Sequence, residues 1–270
     1  METNPNDQAA PATVAAFFDV DNTIIKGASA FHLGKELYAR GFFRKRDLFT
    51  FAFLQARYSL IGENQEQIDQ VRSRALSIMQ GHSVAEVVAI GEEVYDQVLG
   101  LRIFPGTQSL LNDHLSKGHE VWLITATPIE IGDLIARRLG ASGALATIAE
   151  HKAGHYTGRL VGDMMHGKAK AAAILKLAAE RNIDLTESFA YGDSFNDLPL
   201  LQSVGNPCPI NPEYRLRKHA KKVGWPVREF RGKRKAAKNS FKTASYAGAA
   251  WASYTVLRQI YRRVRGLLGK

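Results

Sequence analysis

Cysteine is nearly missing: Cys208 is the single one among 270 residues. One thiol excludes an intramolecular disulfide and any multi-cysteine zinc site, and it suits a reducing compartment. No apolar run reaches the ~20 residues that a membrane-crossing helix requires. Residues 1–13 are polar, contain Pro5 and Pro11, and lack the charged start and apolar stretch of a secretory signal. They are expected to form a disordered tail on a cytoplasmic protein. Acidic residues are almost absent from the last fifth, where residues 215–270 hold 17 Lys and Arg against Glu229 alone. The other residues carry 19 basic and 25 acidic groups, so the net charge of +10 combines a mildly acidic body with a strongly basic C-terminal segment. Apolar content of 45% and charged content of 23% are ordinary for a globular chain long enough to bury a sizeable core.

Against these absences stands one dense stretch, Val14 to Thr23. A short apolar run, Val14 to Phe18, has the length and composition of a buried strand and ends in Asp19-Val20-Asp21-Asn22-Thr23. Side chains alternate along a strand, so Asp19 and Asp21 leave the same side while the extended geometry persists. Two like charges together are unfavourable unless a cation lies between them. Taken alone, the stretch fits an Asp-rich turn as well as a site.

From Ile24 to about Ile103 the apolar spacing becomes helical, with Phe31, Leu33, Leu37 and Tyr38 as its first set. Polar breaks at residues 62–67 and at Gly81-His82-Ser83 divide an insertion of about four helices, with Ser83 as an N-cap. Its aromatic cluster, Phe42, Phe43, Phe49, Phe51, Phe53 and Tyr58, has the character of packing. Pro105-Gly106 restarts an α/β pattern: a helix from Thr107 to Lys117 stopped by Gly118, a strand from Glu120 to Thr125, and a helix from Pro128 to Leu139. A hairpin-like patch around Tyr156–Val161 follows, then an alanine-rich helix over residues 167–181, a strand Phe189-Ala190-Tyr191, and a short helix from Pro199 to Val204. Strands alternating with helices predict a parallel sheet whose strand C-termini form the ligand edge.

Three strands then end in polar residues at one edge: Asp19 and Asp21, Thr125, and Asp193, Asn196 and Asp197. A phosphoryl-transfer site with a divalent cation needs such a set. Carboxylate oxygens suit hard Mg²⁺, and a hydroxyl and a lysine would bind the equatorial phosphate oxygens, where charge is spread in the transition state.

In this order, Asp19-Val20-Asp21-Asn22-Thr23, Thr125, a Gly-x-x-Lys helix and Gly192-Asp193-x-x-Asn196-Asp197 resemble the four motifs of the haloacid dehalogenase superfamily. The insertion after the first motif resembles the helical cap of its phosphoserine-phosphatase-like branch, subfamily IB. The resemblance covers about residues 14–210 and implies an α/β fold: a three-layer Rossmann-like parallel sheet with a helical cap inserted after the first strand. The domain layout expected is a disordered tail over 1–13, a phosphatase core over 14–25 and 104–212, a cap over 26–103, and a basic C-terminal helical tail over 213–270.

The resemblance also implies roles. Asp19 would be the nucleophile that forms an aspartyl-phosphate, and Asp21 the acid/base for the leaving oxygen and the attacking water. Mg²⁺ would be held by Asp19, the backbone carbonyl of Asp21, and Asp193. Thr125, Asn196 and a lysine would bind phosphate, with Asp197 supporting. Gly167-Lys168-Ala169-Lys170 offers two lysines. Lys170 fits the Gly-x-x-Lys spacing and precedes Ile174 by four residues, whereas Lys168 points in another direction from the same helix.

Phosphoserine phosphatases carry an acidic residue shortly after the first motif, and here Ile25-Lys26-Gly27-Ala28-Ser29-Ala30 has none. Thr125-Ala126-Thr127-Pro128 likewise stands where those enzymes usually have Ser-Gly-Gly. Without the carboxylate, a substrate ammonium loses its charge-assisted contact. Arg72 and Arg74 in the cap could meet a substrate carboxylate or a second phosphate, but solvent-facing helix arginines are the commoner case. In the tail, Val256, Leu257, Ile260, Val264 and Leu267 share a helical face, with Arg258, Arg262 and Arg265 largely off it. That pattern suits an interfacial helix at an anionic membrane surface, or a helix docked on the protein. No recognised nucleic-acid fold supports a nucleic-acid partner.

The expected function is therefore a Mg²⁺-dependent phosphomonoester phosphatase acting on a small phosphorylated substrate, with a lipid or glycerol phosphate favoured. The expected location is the cytoplasm, with peripheral association at the inner face of the membrane if the tail is the interfacial helix. Phosphoserine hydrolysis and phosphoryl transfer to another acceptor are the enzymatic alternatives, and a membrane- or nucleic-acid-binding scaffold is the alternative without catalysis.

Overall fold

Successive residues of the strand Ala15–Asp19 (β1) point to opposite faces, and both faces are apolar. Ala16 and Phe18 join one core cluster with Leu111, Val121, Leu123 and Ile135. Ala15 and Phe17 join a second with Ile124, Ile174, Leu177 and Leu200. A strand buried on both faces belongs at the centre of a sheet covered by helices on each side. In the computed structural model, which describes residues 12–42, 76 and 79–231, it is there. The remaining residues lie outside the description, including Phe43, Phe49, Phe51, Phe53, Tyr58, Arg72 and Arg74 of the cap, residues 1–11, and the basic segment beyond 231.

In chain order the strands are β1, Glu120–Pro128 (β2), Gly143–Thr147 (β3), Ala149–Lys152 (β4), His155–Leu160 (β5), Phe189–Tyr191 (β6) and Asn206–Pro207 (β7). The described helices are Ser29–Ala39 (α1), Val84–Val94 (α2), Pro105–Ser116 (α3), Ile129–Leu139 (α4), Lys168–Arg181 (α5), Leu198–Gln202 (α6) and Tyr214–Val223 (α7). The main sheet runs β3-β2-β1-β6-β7 and every pair in it is parallel; β4 and β5 form a separate antiparallel hairpin. Phe18 pairs with Tyr191 and Asp19 with Ile124. The register therefore carries Asp19, Thr125 and Asp193 to one edge. The chain builds outward from β1 first on one side and then on the other, so this edge lies at the switch point where α/β folds place their ligands.

The cap leaves and rejoins the core through paired linkers. The Lys26 amide donates to the Arg102 carbonyl at 2.9 Å, the Phe104 amide to that of Ile24 at 2.9 Å, and Ile25 bridges Ile103 in antiparallel fashion. Ser83 caps α2, its side chain accepting from the Glu86 amide. A π-helical turn, Tyr95–Leu99, and a 3₁₀ turn, Gly100–Arg102, lead α2 back to the linker.

Several of the described elements differ from the sequence expectation, β2, β3 and α7 among them. β2 continues past Thr125 to Pro128, and its register against β3 shifts between these residues. β3, Gly-Ala-Leu-Ala-Thr, has little intrinsic strand preference; close packing sets it, since a Cβ on Gly143 would lie 2.7 Å from the Trp122 ring. α7 lies beyond residue 212, where charge alone places the start of the basic tail. Its Leu216 and Ala220 are fully buried while its Lys and Arg residues lie on the other side. A count of charges conceals this amphipathic period. Among the described residues no helix is long and apolar enough to cross a membrane.

Candidate active site

Asp19 closes β1 and by alternation shares a side with Ala15 and Phe17, the side covered by α5. The chain turns at once. The amides of Ile24 and Ile25 both donate to the Val20 carbonyl at 2.9 Å, and Asn22 takes a left-handed φ of 59° while its Oδ1 accepts from the Gly27 amide at 3.1 Å. Asn is one of the few residues that adopts this conformation readily.

Lys170 sits in the first turn of α5, four residues before the buried Ile174, and so points into the same layer. It is 4% exposed, and its Nζ donates to Asp19 Oδ1 at 2.5 Å and to Asp197 Oδ1 at 2.6 Å. Lys168, two positions earlier, is exposed. Burial works against the Lys170 charge, but the carboxylates of Asp19 and Asp197 outweigh it and hold the ammonium above the usual lysine range. Burial pushes the Asp19 carboxyl up, and Lys170 pulls it back.

Asp197 is held from its other side. Its Oδ2 accepts from the Ser194 amide at 3.1 Å and from Ser194 Oγ at 3.2 Å, which caps the turn Phe195–Asp197. Gly192 makes room for it: a Cβ there would lie 2.7 Å from Asp197 Cβ, so an alanine would push the carboxylate aside. Asn196 is half-buried in the same turn.

Asp19, Asp193 and Asp197 each offer an oxygen within 4.8 Å of the others. Among the described residues these three carboxylates gather around the Lys170 ammonium in a mostly buried place. Carboxylate oxygens so clustered fit a hard divalent cation such as Mg²⁺.

The Asp21 carboxylate is turned toward the cap. Its Oδ1 accepts from the Ser29 amide at 2.9 Å and from Ser29 Oγ at 2.6 Å, and Ser29 Oγ lies 2.8 Å from Thr127 Oγ1. Thr125 is buried at the end of the regular part of β2, and its Oγ1 accepts from the Thr127 amide at 3.1 Å. Ser29 and Thr127 are not among the residues that the motif order marks as site residues. The available signal was two hydroxyls in the stretches that depart from the phosphoserine-phosphatase pattern, Ile25–Ala30 and Thr125–Pro128.

The family described as haloacid dehalogenase-like hydrolase matches residues 16–202, a span that holds all of these groups. The chain belongs to that family. This haloacid dehalogenase-like hydrolase is 48% identical over 246 residues to a phosphoserine phosphatase of Mycobacterium tuberculosis, covering 91% of this chain and 80% of that protein. It is 36% identical over 226 residues to a probable phosphatase of the same organism, covering 84% of this chain and 78% of the other. The solved structure of a protein of unknown function from Bordetella pertussis matches it with a TM-score of 0.72 at 28% identity, over 81% of this chain and 99% of that one. Family and relatives together make this chain a phosphatase, a hydrolase of phosphoric monoesters.

Proposed function

We propose that this phosphatase works through an aspartyl-phosphate on Asp19. The observation that supports this most is the buried lysine that joins Asp19 to Asp197 across three separate elements. A carboxylate held beside an ammonium, at the open edge of a parallel sheet, is positioned to meet an electrophilic phosphorus. An oxygen of Asp19 bonds to phosphorus as the bond to the ester oxygen breaks, and Asp21 gives its proton to that leaving oxygen. Asp21 then takes a proton from the water that attacks the aspartyl-phosphate, which restores the Asp19 carboxylate and releases phosphate.

Thr125, Lys170 and Asn196 bind the phosphate oxygens. Thr125 Oγ1 already accepts from the Thr127 amide, so its own proton remains available to donate. Asp197 keeps Lys170 in place. Asp19, Asp193 and the backbone carbonyl of Asp21 would hold Mg²⁺, which when bound offsets the repulsion between carboxylate and phosphate dianion. Asp19→Asn should abolish Mg²⁺-dependent turnover of p-nitrophenyl phosphate while leaving the circular dichroism spectrum intact. Near wild-type turnover in this variant overturns the proposal.

The residues where the cap helix begins support one substrate class. Ala28 and Ser29 supply no carboxylate for an ammonium, and the Ser29 hydroxyl is committed to Asp21. This favours the phosphate ester of an alcohol without an amino group, glycerol phosphate and its lipid esters being the type, with the cap over 26–103 setting specificity. The basic segment after residue 231 supplies charge for an anionic lipid surface. The name of the mycobacterial relative favours a second reading, phosphoserine. Phosphate release from phosphoserine, glycerol phosphate and lysophosphatidate, the last with and without anionic vesicles, decides between them. A preference for phosphoserine overturns the first reading.

A further inference from the structure

Ser29 is fully buried and opens the first turn of the cap helix α1, yet both of its donors are spent on one oxygen of a core residue. The Asp21 carboxylate accepts the Ser29 amide at 2.9 Å and the Ser29 hydroxyl at 2.6 Å, both on Oδ1. A serine hydroxyl has one proton. With that proton given to Asp21, the 2.8 Å contact to Thr127 must have Thr127 Oγ1 as donor. Thr127, also buried, is tied in turn through its amide to Thr125 Oγ1. A continuous chain of hydrogen bonds thus links the start of the cap, Asp21, and the hydroxyl at the end of β2.

We propose that Ser29, oriented by Thr127, is the positioning residue for the proton donor of this reaction. The inference rests on the acid/base role given to Asp21 above. Two donors on Oδ1 fix the plane of the carboxyl group and leave Oδ2 to carry the transferable proton. When the Asp19 oxygen bonds to phosphorus, the electron pair of the breaking P–O bond passes to the ester oxygen, which takes the proton from Asp21 and departs as the free alcohol. Alcohols that are poor leaving groups depend on this proton; p-nitrophenolate leaves without it. Ser29 touches no reacting atom and acts only through Asp21.

The test is the leaving-group dependence of kcat/KM, which ends at departure of the alcohol, over p-nitrophenyl, phenyl and alkyl phosphates. Ser29→Ala should lower kcat/KM for the alkyl ester by about 30-fold while changing the p-nitrophenyl ester by less than about threefold. Ser29→Thr, which keeps the hydroxyl, should restore the alkyl rate. If its added methyl group prevents folding, Thr127→Val serves in its place and should give the same selective loss. A uniform loss across the series, or no loss, overturns the inference. Asp21→Asn is run alongside. If it shows the selective loss and Ser29→Ala does not, only the positioning role fails. If Asp21→Asn shows none, the acid/base assignment itself fails.

Discussion

Lys170 separates two carboxylates that would otherwise face each other away from water. Replacing it with methionine keeps most of the volume and removes the charge, leaving Asp19 and Asp197 opposed. Breaking one partner from a buried ion cluster typically costs on the order of 3 kcal/mol, so Lys170→Met should lose stability of that size in metal-free buffer and less with Mg²⁺ present. Urea denaturation with and without the ion measures both, and turnover of p-nitrophenyl phosphate should fall by at least about a hundredfold. At this scale the sequence was informative where chemistry and spacing agree. The pairing of Lys170 with Ile174, one helical turn apart, distinguishes it from Lys168, and the structure places Lys170 beside Asp19. Ser29 and Thr127 gave no comparable sign. Their contact spans 98 residues and involves two of the commonest polar side chains.

Among the elements, α3 carries a group whose titration can be tested. His114 is buried against β1 and β6: its Nε2 lies 2.8 Å from Tyr191 Oη, its Nδ1 lies 2.9 Å from His119 Nδ1, and Phe18 stacks on Tyr191. Burial, helped by the neighbouring His119, lowers the His114 pKa to about 4. The unfolded chain has a histidine pKa of about 6.5 and so binds more protons between these values. Stability is then fully present above pH ~6.5 and is lost as the pH falls toward 4, by about 3 kcal/mol in total. Urea denaturation at pH 7.5, 5.5 and 4.5 should show this slope, and His114→Gln should flatten it. Element by element, legibility in the sequence followed periodicity. β1, β6 and α5 declare themselves through apolar runs and helix formers. β3 does not, because an alanine-rich segment becomes a strand only when a neighbouring edge pairs with it. α7 was hidden by its own charge, since ten residues rich in Lys and Arg still bury Leu216 and Ala220.

For the whole molecule, a cation held by the clustered carboxylates at the sheet edge, as proposed, would link folding to that cation. An ion that binds only the folded chain stabilises it by about 2.7 kcal/mol at a hundredfold excess over Kd. Thermal melts should therefore rise by several degrees on adding Mg²⁺ after EDTA treatment, and Asp193→Asn should abolish the rise along with activity. An unchanged melting temperature in the wild type would count against a cation held by these carboxylates. Fold class and motif order were legible at this scale because each strand end carries its own polar signature. The way the cap meets the core was not, because it depends on pairing between segments far apart in the chain.

The paired linkers at residues 24–26 and 102–104 bring the ends of the cap side by side. An insert that leaves and returns at one seam can be exchanged between relatives without rethreading the sheet. Asp21 stays on the retained side of that seam, while Ser29 travels with the insert. With Asp21 as the proton donor and Ser29 as its anchor, as proposed, each exchange of cap would hand the donor a new anchor, and substrate preference and the strength of acid assistance would be inherited as one trait.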